Sequence, residues 1–244
     1  MKKRAYKSAK GRIVTLFFML AMITFCTEYL YSAKFNFFTV KKQTKLTPKK
    51  ALKDLIEGNR RFYLSKKAKR PSFVSLSKKA SKKGQFPKAV ILACMDSRSV
   101  PEIIFDQSIA DIFTLRVAGN VVNDEMLASF EYATKVAGAK LIVVMGHTQC
   151  GAIEAVCNGG LTGNLASLAR AIEPAVEMVQ LENPDKKIDC NDRDITSAIS
   201  MQNARNMKAQ IIEKSEIIRG LLSTGDIKIV NALHNLKTGV VTFE

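Results

Sequence analysis

The chain has 244 residues, 47% of them hydrophobic and 25% charged, with 13 glycines, 6 prolines and five cysteines. This composition excludes a disordered or collagen-like chain, and the cysteines are too sparse for a small disulfide-stapled protein. The net charge of +16 does not predict a nucleic-acid partner, because residues 1–90 carry 24 Lys/Arg against 3 Asp/Glu whereas residues 91–244 carry 14 against 19.

The first 33 residues have the layout of an export signal. Six Lys/Arg fall within the first twelve residues, and an uncharged run, residues 13–27, follows them. This run is shorter than the roughly 20 apolar residues of a membrane span, so a cleaved signal and an uncleaved anchor in residues 13–33 are both open, as is a cytosolic protein with a misleading N-terminus. Because either of the first two sends the chain across a membrane, we expect a periplasmic or otherwise exported protein.

The folded domain is predicted to span residues 47–244, after a short basic linker at residues 34–46. Thr47 and Pro48 form a helix start, with Thr as N-cap and Pro in the first turn, and this helix is predicted to run to about Phe62. Residues 64–84 hold three lysine pairs with almost no aromatic residues between them. We interpret this segment as a solvated face, with contact to a membrane surface or polyanion as the alternative.

From residue 88 the pattern becomes that of an α/β domain. Continuous apolar runs at residues 89–93, 112–117 and 141–145 predict buried parallel strands, and residues 123–136 show helical spacing between the last two. Helical segments (165–181 and 195–222) and two strand-like segments (227–230 and 240–243) follow. The sequence therefore predicts an α/β fold with a mostly parallel central sheet flanked by helices.

Residues with metal-binding side chains follow two of these strands. Cys94 comes directly after the first, and His147 and Cys150 follow the third. Because ligands bind at the carboxyl ends of parallel strands, we expect the three side chains to converge. Two thiols and an imidazole suit Zn²⁺, and three ligands leave a fourth position for water or substrate, which is typical of a catalytic zinc. We predict one zinc per chain, with Cys150 near the start of a helix whose dipole favours the thiolate.

Asp96 and Arg98 lie two and four residues after Cys94. In an extended segment their side chains would point the same way and pair, which would keep Asp96 ionised and able to accept a hydrogen bond from a metal-bound water. The alternatives are an ordinary structural ion pair and, for the ligand set, buried cysteines with a core histidine. The clustering at two strand ends favours the catalytic interpretation.

Together these segments resemble the β-class carbonic anhydrases over residues 47–243. The motifs that carry the resemblance are Thr47-Pro48, Gly58-Asn59-Arg60-Arg61-Phe62, Gly84-Gln85-Phe86-Pro87, Cys94-Met95-Asp96-Ser97-Arg98, Arg116-Val117-Ala118-Gly119-Asn120 and Gly146-His147-Thr148-Gln149-Cys150-Gly151. The resemblance implies reversible hydration of CO2 to bicarbonate and a proton. It implies that Cys94, His147 and Cys150 bind zinc.

The resemblance also implies roles for residues around the metal. Asp96 and Arg98 would form the catalytic dyad. Gln85 would hydrogen-bond substrate, and the turn at Gly119 would wall the site. The first helix would pack across a dimer, so a homodimer or homotetramer is expected.

Some features depart from the family pattern or stay open. The run Asn231-Ala232-Leu233-His234 stands where the family often has a Gly-Ala-Tyr-like turn. A bicarbonate-inhibited subset of the family uses Trp, Arg and Tyr, of which only Arg116 matches here, so we do not expect that regulation. His234 is predicted to be structural or on the surface, with a proton shuttle as the alternative. Cys157 is predicted to be a buried hydrophobe and Cys190 to lie in a solvated loop, pairing only if their geometry allows.

Two rival functions follow from the same residues. One is hydrolysis of carbon disulfide or carbonyl sulfide on the same fold. The other is a non-catalytic zinc module that binds an anionic membrane or nucleic acid through residues 41–83, with strongly salt-dependent binding.

Overall fold

A five-stranded sheet lies at the centre of the computed structural model, which describes residues 37–185 and 187–244. The strands are β1 (Ala89–Ala93), β2 (Ile112–Arg116), β3 (Leu141–His147), β4 (Lys228–His234) and β5 (Val241–Phe243). The helices are α1 (Val40–Gln43), α2 (Pro48–Tyr63), α3 (Phe73–Lys83), α4 (Pro101–Ile104), α5 (Asp124–Glu131), α6 (Gly151–Asn158), α7 (Ala166–Glu182), α8 (Arg193–Lys214) and α9 (Glu216–Ser223). A π-helical turn, Tyr132–Val136, continues α5.

The strand order is β2-β1-β3-β4-β5, with β1 to β4 parallel and β5 antiparallel to β4. The predicted mostly parallel sheet is therefore confirmed. Strands β1 and β3 are buried along their whole length, as their continuous apolar sequences predicted. Because these two strands are neighbours that run in the same direction, the residues that follow them meet at one edge of the sheet.

Helices cover both faces of the sheet. On one face, Leu55 of α2 and Ile104 of α4 pack on the odd-numbered side chains of β1 and β3. On the other face, α5, α8 and α9 pack on the even-numbered side chains. A third apolar cluster, built by α6, α7 and the first turns of α8, includes Cys94 and Cys150. Both thiols therefore lie in an apolar layer at the carboxyl edge of the sheet.

The described part of the predicted linker packs against the domain. Residues 37–46 include α1, and both Phe37 and Leu46 are buried. The amide nitrogen Nε2 of Gln43 donates hydrogen bonds of 2.8 Å to the carbonyls of Pro87 and Ala137. The folded unit thus includes Phe37–Lys67 and Pro71–Glu244, and residues 68–70 lie in no helix or strand.

The predicted export segment, residues 1–33, lies outside the described residues. Within the part of the chain that the structure describes, no helix combines the length and apolar character of a membrane span. The basic segment 64–84 contains a helix that sequence analysis did not predict, α3, which begins after the N-cap Ser72 and buries Leu76. The lysines of α3 are exposed, in agreement with a solvated face.

The predicted helix over residues 195–222 is interrupted at Ser215. The Ser215 hydroxyl accepts a hydrogen bond from the N–H of Ile218 at 3.1 Å and donates one to Glu131 at 2.7 Å, so it caps α9 and ties it to α5. The last parallel strand is longer than predicted, because β4 continues to His234. That extension brings His234 into register beside His147 of β3.

Cys157 and Cys190 form a disulfide, with their Cα atoms 5.7 Å apart. The geometry therefore allows the pairing that the sequence left open. Cys190 lies in a loop as expected, whereas Cys157 is half-buried and disulfide-bonded rather than a buried hydrophobe. Tertiary packing brings the last turn of α6 beside the loop that precedes α8, and the 33-residue separation gave no local signal of this. The disulfide therefore links the C-terminal end of α6, the helix that begins next to Cys150, to the loop before α8.

Candidate active site

Cys94, His147 and Cys150 meet at the carboxyl edge of the sheet, and all three are buried. The two sulfurs are 3.9 Å apart, and all three ligand atoms lie within 4.8 Å of one another. In tetrahedral geometry, two sulfurs that each lie about 2.3 Å from zinc are roughly 3.8 Å apart. The spacing of the thiols therefore fits a zinc ion.

His147 is oriented to bind a metal through Nε2. Its other ring nitrogen, Nδ1, is 2.9 Å from the carbonyl oxygen of Thr148, so Nδ1 carries the proton and Nε2 presents a lone pair. Nε2 is buried and has no hydrogen-bond partner among the described residues. An orphaned imidazole nitrogen close to two buried thiols is the arrangement that a bound metal would satisfy.

The electrostatics of the pair of thiols favour one negative charge. A hydrogen bond from Cys150 holds the pKa of Cys94 at about 4 despite burial, with help from the backbone N–H groups of Asp96 and Gly119. The same contact and burial raise the pKa of Cys150. Cys150 is the N-cap of α6, and the first N–H groups of that helix act on its sulfur in the predicted direction, toward the thiolate.

Asp96 and Arg98 form the predicted pair beside these ligands. Arg98 Nε and Nη2 donate to the two carboxylate oxygens of Asp96 at 3.0 and 2.7 Å. The hydrogen bonds from Arg98 lower the pKa of Asp96 to about 2, so the carboxylate is ionised at neutral pH. Asp96 Oδ2 lies 3.9 Å from Nε2 of His147, which places the carboxylate next to the metal position.

The segment that carries the dyad is a turn and not the extended strand that we predicted. The backbone N–H of Arg98 donates to Asp96 Oδ1 at 2.8 Å, and the N–H of Ser99 donates to the carbonyl of Asp96 at 3.0 Å. The short carboxylate side chain closes the turn on itself. Asp96 and Arg98 therefore pair as predicted, but a local turn, and not an extended segment, brings their side chains together.

Arg116 also contacts the site, a role that neither its place in the Arg116–Asn120 motif nor the comparison with the inhibited subset predicted. Its Nε donates to the carbonyl of Cys94 at 3.1 Å and its Nη2 to the carbonyl of Asp96 at 2.6 Å. Arg116 ends β2, beside the end of β1. A cation at the carboxyl end of a predicted parallel strand was the available signal.

The turn at Gly119 lies against Cys94, one of the three candidate metal ligands. Its N–H hydrogen-bonds the sulfur of Cys94, and its φ is +66°. A Cβ at this position would lie 2.6 Å from Cδ1 of Ile172. Both the backbone conformation and the close approach of α7 therefore require glycine here.

Gln85 does not join the ligands within its own chain. It precedes β1, whereas Cys94 follows it, and a five-residue strand spans about 16 Å. Gln85 instead lines a groove of about 370 Å³ along the edge strand β2, together with Phe113, Leu115 and Tyr132. None of the metal ligands lines that groove.

His234 is buried rather than on the surface. The residue is only 2% exposed, and its Nδ1 is 3.1 Å from the hydroxyl of Ser99. Burial, with His147 nearby, lowers the pKa of His234 to about 4, so the ring is neutral. These features favour the structural alternative over a proton shuttle.

Comparisons with known proteins find one family. The sequence profile of the carbonic anhydrase family matches residues 89–241. Carbonic anhydrase 2 of Mycobacterium tuberculosis is 34% identical over 79% of this chain and 90% of its own length. The carbonic anhydrase of Mycolicibacterium smegmatis is 32% identical over 80% and 92%, respectively.

A solved structure supports the same fold. A tetrameric β-carbonic anhydrase from Sordaria macrospora superposes with a TM-score of 0.60 at 21% identity, covering 70% of this chain and 91% of its own. At that identity the likeness speaks for the α/β architecture alone.

Proposed function

This chain belongs to the β-carbonic anhydrase family, and we propose that it catalyses the reversible hydration of CO2 to bicarbonate and a proton with one zinc ion per chain. The observation that carries the proposal is the placement of an ionised carboxylate, Asp96 Oδ2, 3.9 Å from the free nitrogen of a His147 that lies beside two buried thiols. A purely structural zinc site would have no use for this carboxylate. A set of three ligands also leaves one position open.

Bound zinc acidifies water toward neutral pH, an effect for which carbonic anhydrase with three His ligands is the best-known example. Cys94, His147 and Cys150 would hold the ion. Asp96 would accept a hydrogen bond at Oδ2 from the attacking water and so aim its oxygen lone pair at CO2. Because thiolates donate more charge than imidazoles, this orientation matters more here than in a site with three His ligands.

Arg98 keeps the Asp96 carboxylate in its role. Two hydrogen bonds from the guanidinium fix the plane of the carboxylate and reduce its tendency to compete for the metal. Arg98 Nη2 also reaches the carbonyl of Gln149 at 3.3 Å, next to Cys150. The guanidinium therefore links the two strand ends that carry the ligands.

Stopped-flow measurement of CO2 hydration by the zinc-loaded chain tests the function. We expect hydration well above the buffer rate, lost on zinc removal and restored by zinc. Release of sulfide from carbonyl sulfide or carbon disulfide, measured on the same sample, tests the rival reaction. Sulfide release without CO2 hydration would overturn our assignment in favour of that rival.

The non-catalytic zinc module is not favoured. The lysines of α3 are exposed, but the Asp96–Arg98 pair beside the ligands has no part in binding an anionic surface. A sample that binds anionic vesicles in a salt-dependent way and shows no CO2 hydration would instead support the module.

Export across a membrane is supported by two independent features. The sequence places six cations before an uncharged run in the first 27 residues, and Cys157 and Cys190 are paired, as is typical of proteins in oxidising compartments. We expect residues 1–50 to carry a reporter that is active only outside the cytoplasm. An inactive fusion, with the full-length protein recovered in cytosol, would contradict export.

A homo-oligomer that forms along β2 is the assembly we propose. β2 is an edge strand with a flanking apolar groove, and Tyr132 beside it is 55% exposed. A two-fold axis would pair two β2 strands antiparallel, so the N-terminal end of one sheet, with Gln85, would approach the partner's ligand edge. This arrangement would reconcile the position of Gln85 with its predicted contact to substrate.

The change Tyr132→Asp should shift the full chain toward monomer in sedimentation experiments and lower CO2 hydration. Leu181→Asp, at a residue 78% exposed on α7, is the matched control and should alter neither. An unchanged oligomer in the Tyr132→Asp protein would refute the β2 interface.

A further inference from the structure

The turn that carries the catalytic dyad exposes one of its residues to solvent and buries the next. The Arg98 side chain is 55% exposed, whereas Ser99, which follows it directly, is a residue 1% exposed. The N–H of Ser99 closes the turn onto the carbonyl of Asp96 at 3.0 Å. The buried end of the turn is therefore rigidly connected to the carboxylate at its other end.

The hydroxyl of Ser99 meets a residue from a distant strand. Its Oγ lies 3.1 Å from Nδ1 of His234, and the two residues are 135 positions apart in the sequence. His234 ends β4 and pairs in register with His147 at the end of β3. The Ser99–His234 contact thus joins the dyad turn to the strand pair that presents a metal ligand.

His234 is itself firmly held. Its carbonyl accepts a hydrogen bond from the N–H of Thr148 at 3.0 Å, and the Thr148 hydroxyl in turn accepts one from the N–H of Leu236 at 3.1 Å. Nε2 of the ring is buried and has no hydrogen-bond partner among the described residues. Among the described residues, the Ser99 hydroxyl is thus the one hydrogen-bond partner of the His234 ring. This contact explains why an imidazole is tolerated at a buried position.

We propose that Ser99 and His234 are positioning residues whose buried hydrogen bond fixes the Asp96 carboxylate relative to His147. The inference rests on the proposed function, since it assigns the pair to the orientation of the catalytic carboxylate. Arg116 holds the same turn by its carbonyls, from β2. The turn, which follows β1, is thereby tied to the neighbouring strand β2 by Arg116 and, on the other side, to β4, the strand beyond β3, by His234.

The test compares Ser99→Ala, Ser99→Thr and the control Ser108→Ala in the zinc-loaded full chain. Ser108 is a buried serine whose hydroxyl has no partner among the described residues, so it controls for removal of a buried hydroxyl. Ser99→Ala should lower kcat about tenfold, with KM, zinc content and melting temperature near those of the wild type. Ser99→Thr keeps the hydroxyl and should restore most of the rate.

Two measurements do not depend on activity. The backbone amide hydrogen at position 99 should exchange about tenfold faster in Ser99→Ala than in the wild type. Because the chain has only two histidines, ¹⁵N-histidine spectra are simple, and the His234 imidazole signals should shift while those of His147 stay in place.

The outcomes are decisive in either direction. Wild-type kcat together with unchanged exchange in Ser99→Ala would overturn the proposal, as would a loss of zinc in step with the loss of rate. A wild-type chain without CO2 hydration would refute the proposed function, whereas the exchange and histidine signals would still decide whether the pair anchors the turn.

Discussion

Replacing Cys94, His147 or Cys150 by alanine will remove most of the zinc and with it the hydration of CO2. Each residue supplies one of three ligand atoms that lie within 4.8 Å of one another, and no fourth Cys or His joins the cluster among the described residues. Loss of a mere hydrogen-bond partner of a ligand costs about 10–100-fold in metal affinity. We expect loss of a ligand itself to exceed the upper end of that range.

Metal analysis of the purified variants, with zinc titration against a competing chelator, measures this effect. The matched control is the double change Cys157→Ser and Cys190→Ser, which removes the same kind of side chain away from the site. It should retain one zinc per chain. Full zinc occupancy in all three alanine variants would show that the ion lies elsewhere.

The change Asp96→Asn is expected to separate zinc binding from turnover. The amide keeps the shape of the side chain but loses the charge that attracts Arg98, and its NH2 group can face the guanidinium as a donor facing a donor. We expect zinc to stay bound and kcat/KM to fall about 10–100-fold, the usual cost of losing a group that orients the chemistry around a metal.

The pH dependence gives a further expectation for this variant. Because the pKa of Asp96 is about 2, the wild-type carboxylate is charged at every pH near neutrality. The side-chain amide of the variant cannot ionise, so raising the pH should not rescue Asp96→Asn, and the deficit relative to the wild type should be the same at every pH near neutrality. Asp124→Asn, at an exposed position on α5, is the control and should be fully active. Wild-type rates in Asp96→Asn at every pH would remove the carboxylate from the mechanism.

The sequence was sufficient to predict those elements whose pattern of apolar residues is local and periodic. Strands β1 and β3 were predictable because residues buried on both faces of a sheet give unbroken apolar runs. The ligand set followed, since the ends of neighbouring parallel strands meet whatever their distance in the chain. Helix α3 was missed because it buries only Leu76 among many lysines, although Ser72 offered an N-cap.

The contacts behind the site could not be predicted in the same way. The hydrogen bond between Ser99 and His234 depends on where β4 ends, and that strand ends four residues beyond its predicted apolar run. Arg116 acts on backbone carbonyls, which every residue has, so its partners leave no mark in the sequence. The disulfide depends on the packing of α6 against a loop 33 residues away.

That disulfide has a consequence for how an exported chain matures. Outside the cytoplasm, an oxidase would meet four thiols in the folded domain, of which two belong in a disulfide and two on the metal. The sulfurs of Cys94 and Cys150 are only 3.9 Å apart, so oxidation before zinc binds would join them as well and remove two of the three zinc ligands. In an exported chain, zinc would therefore have to arrive before the oxidant, and the supply of metal during folding would set the yield of active enzyme.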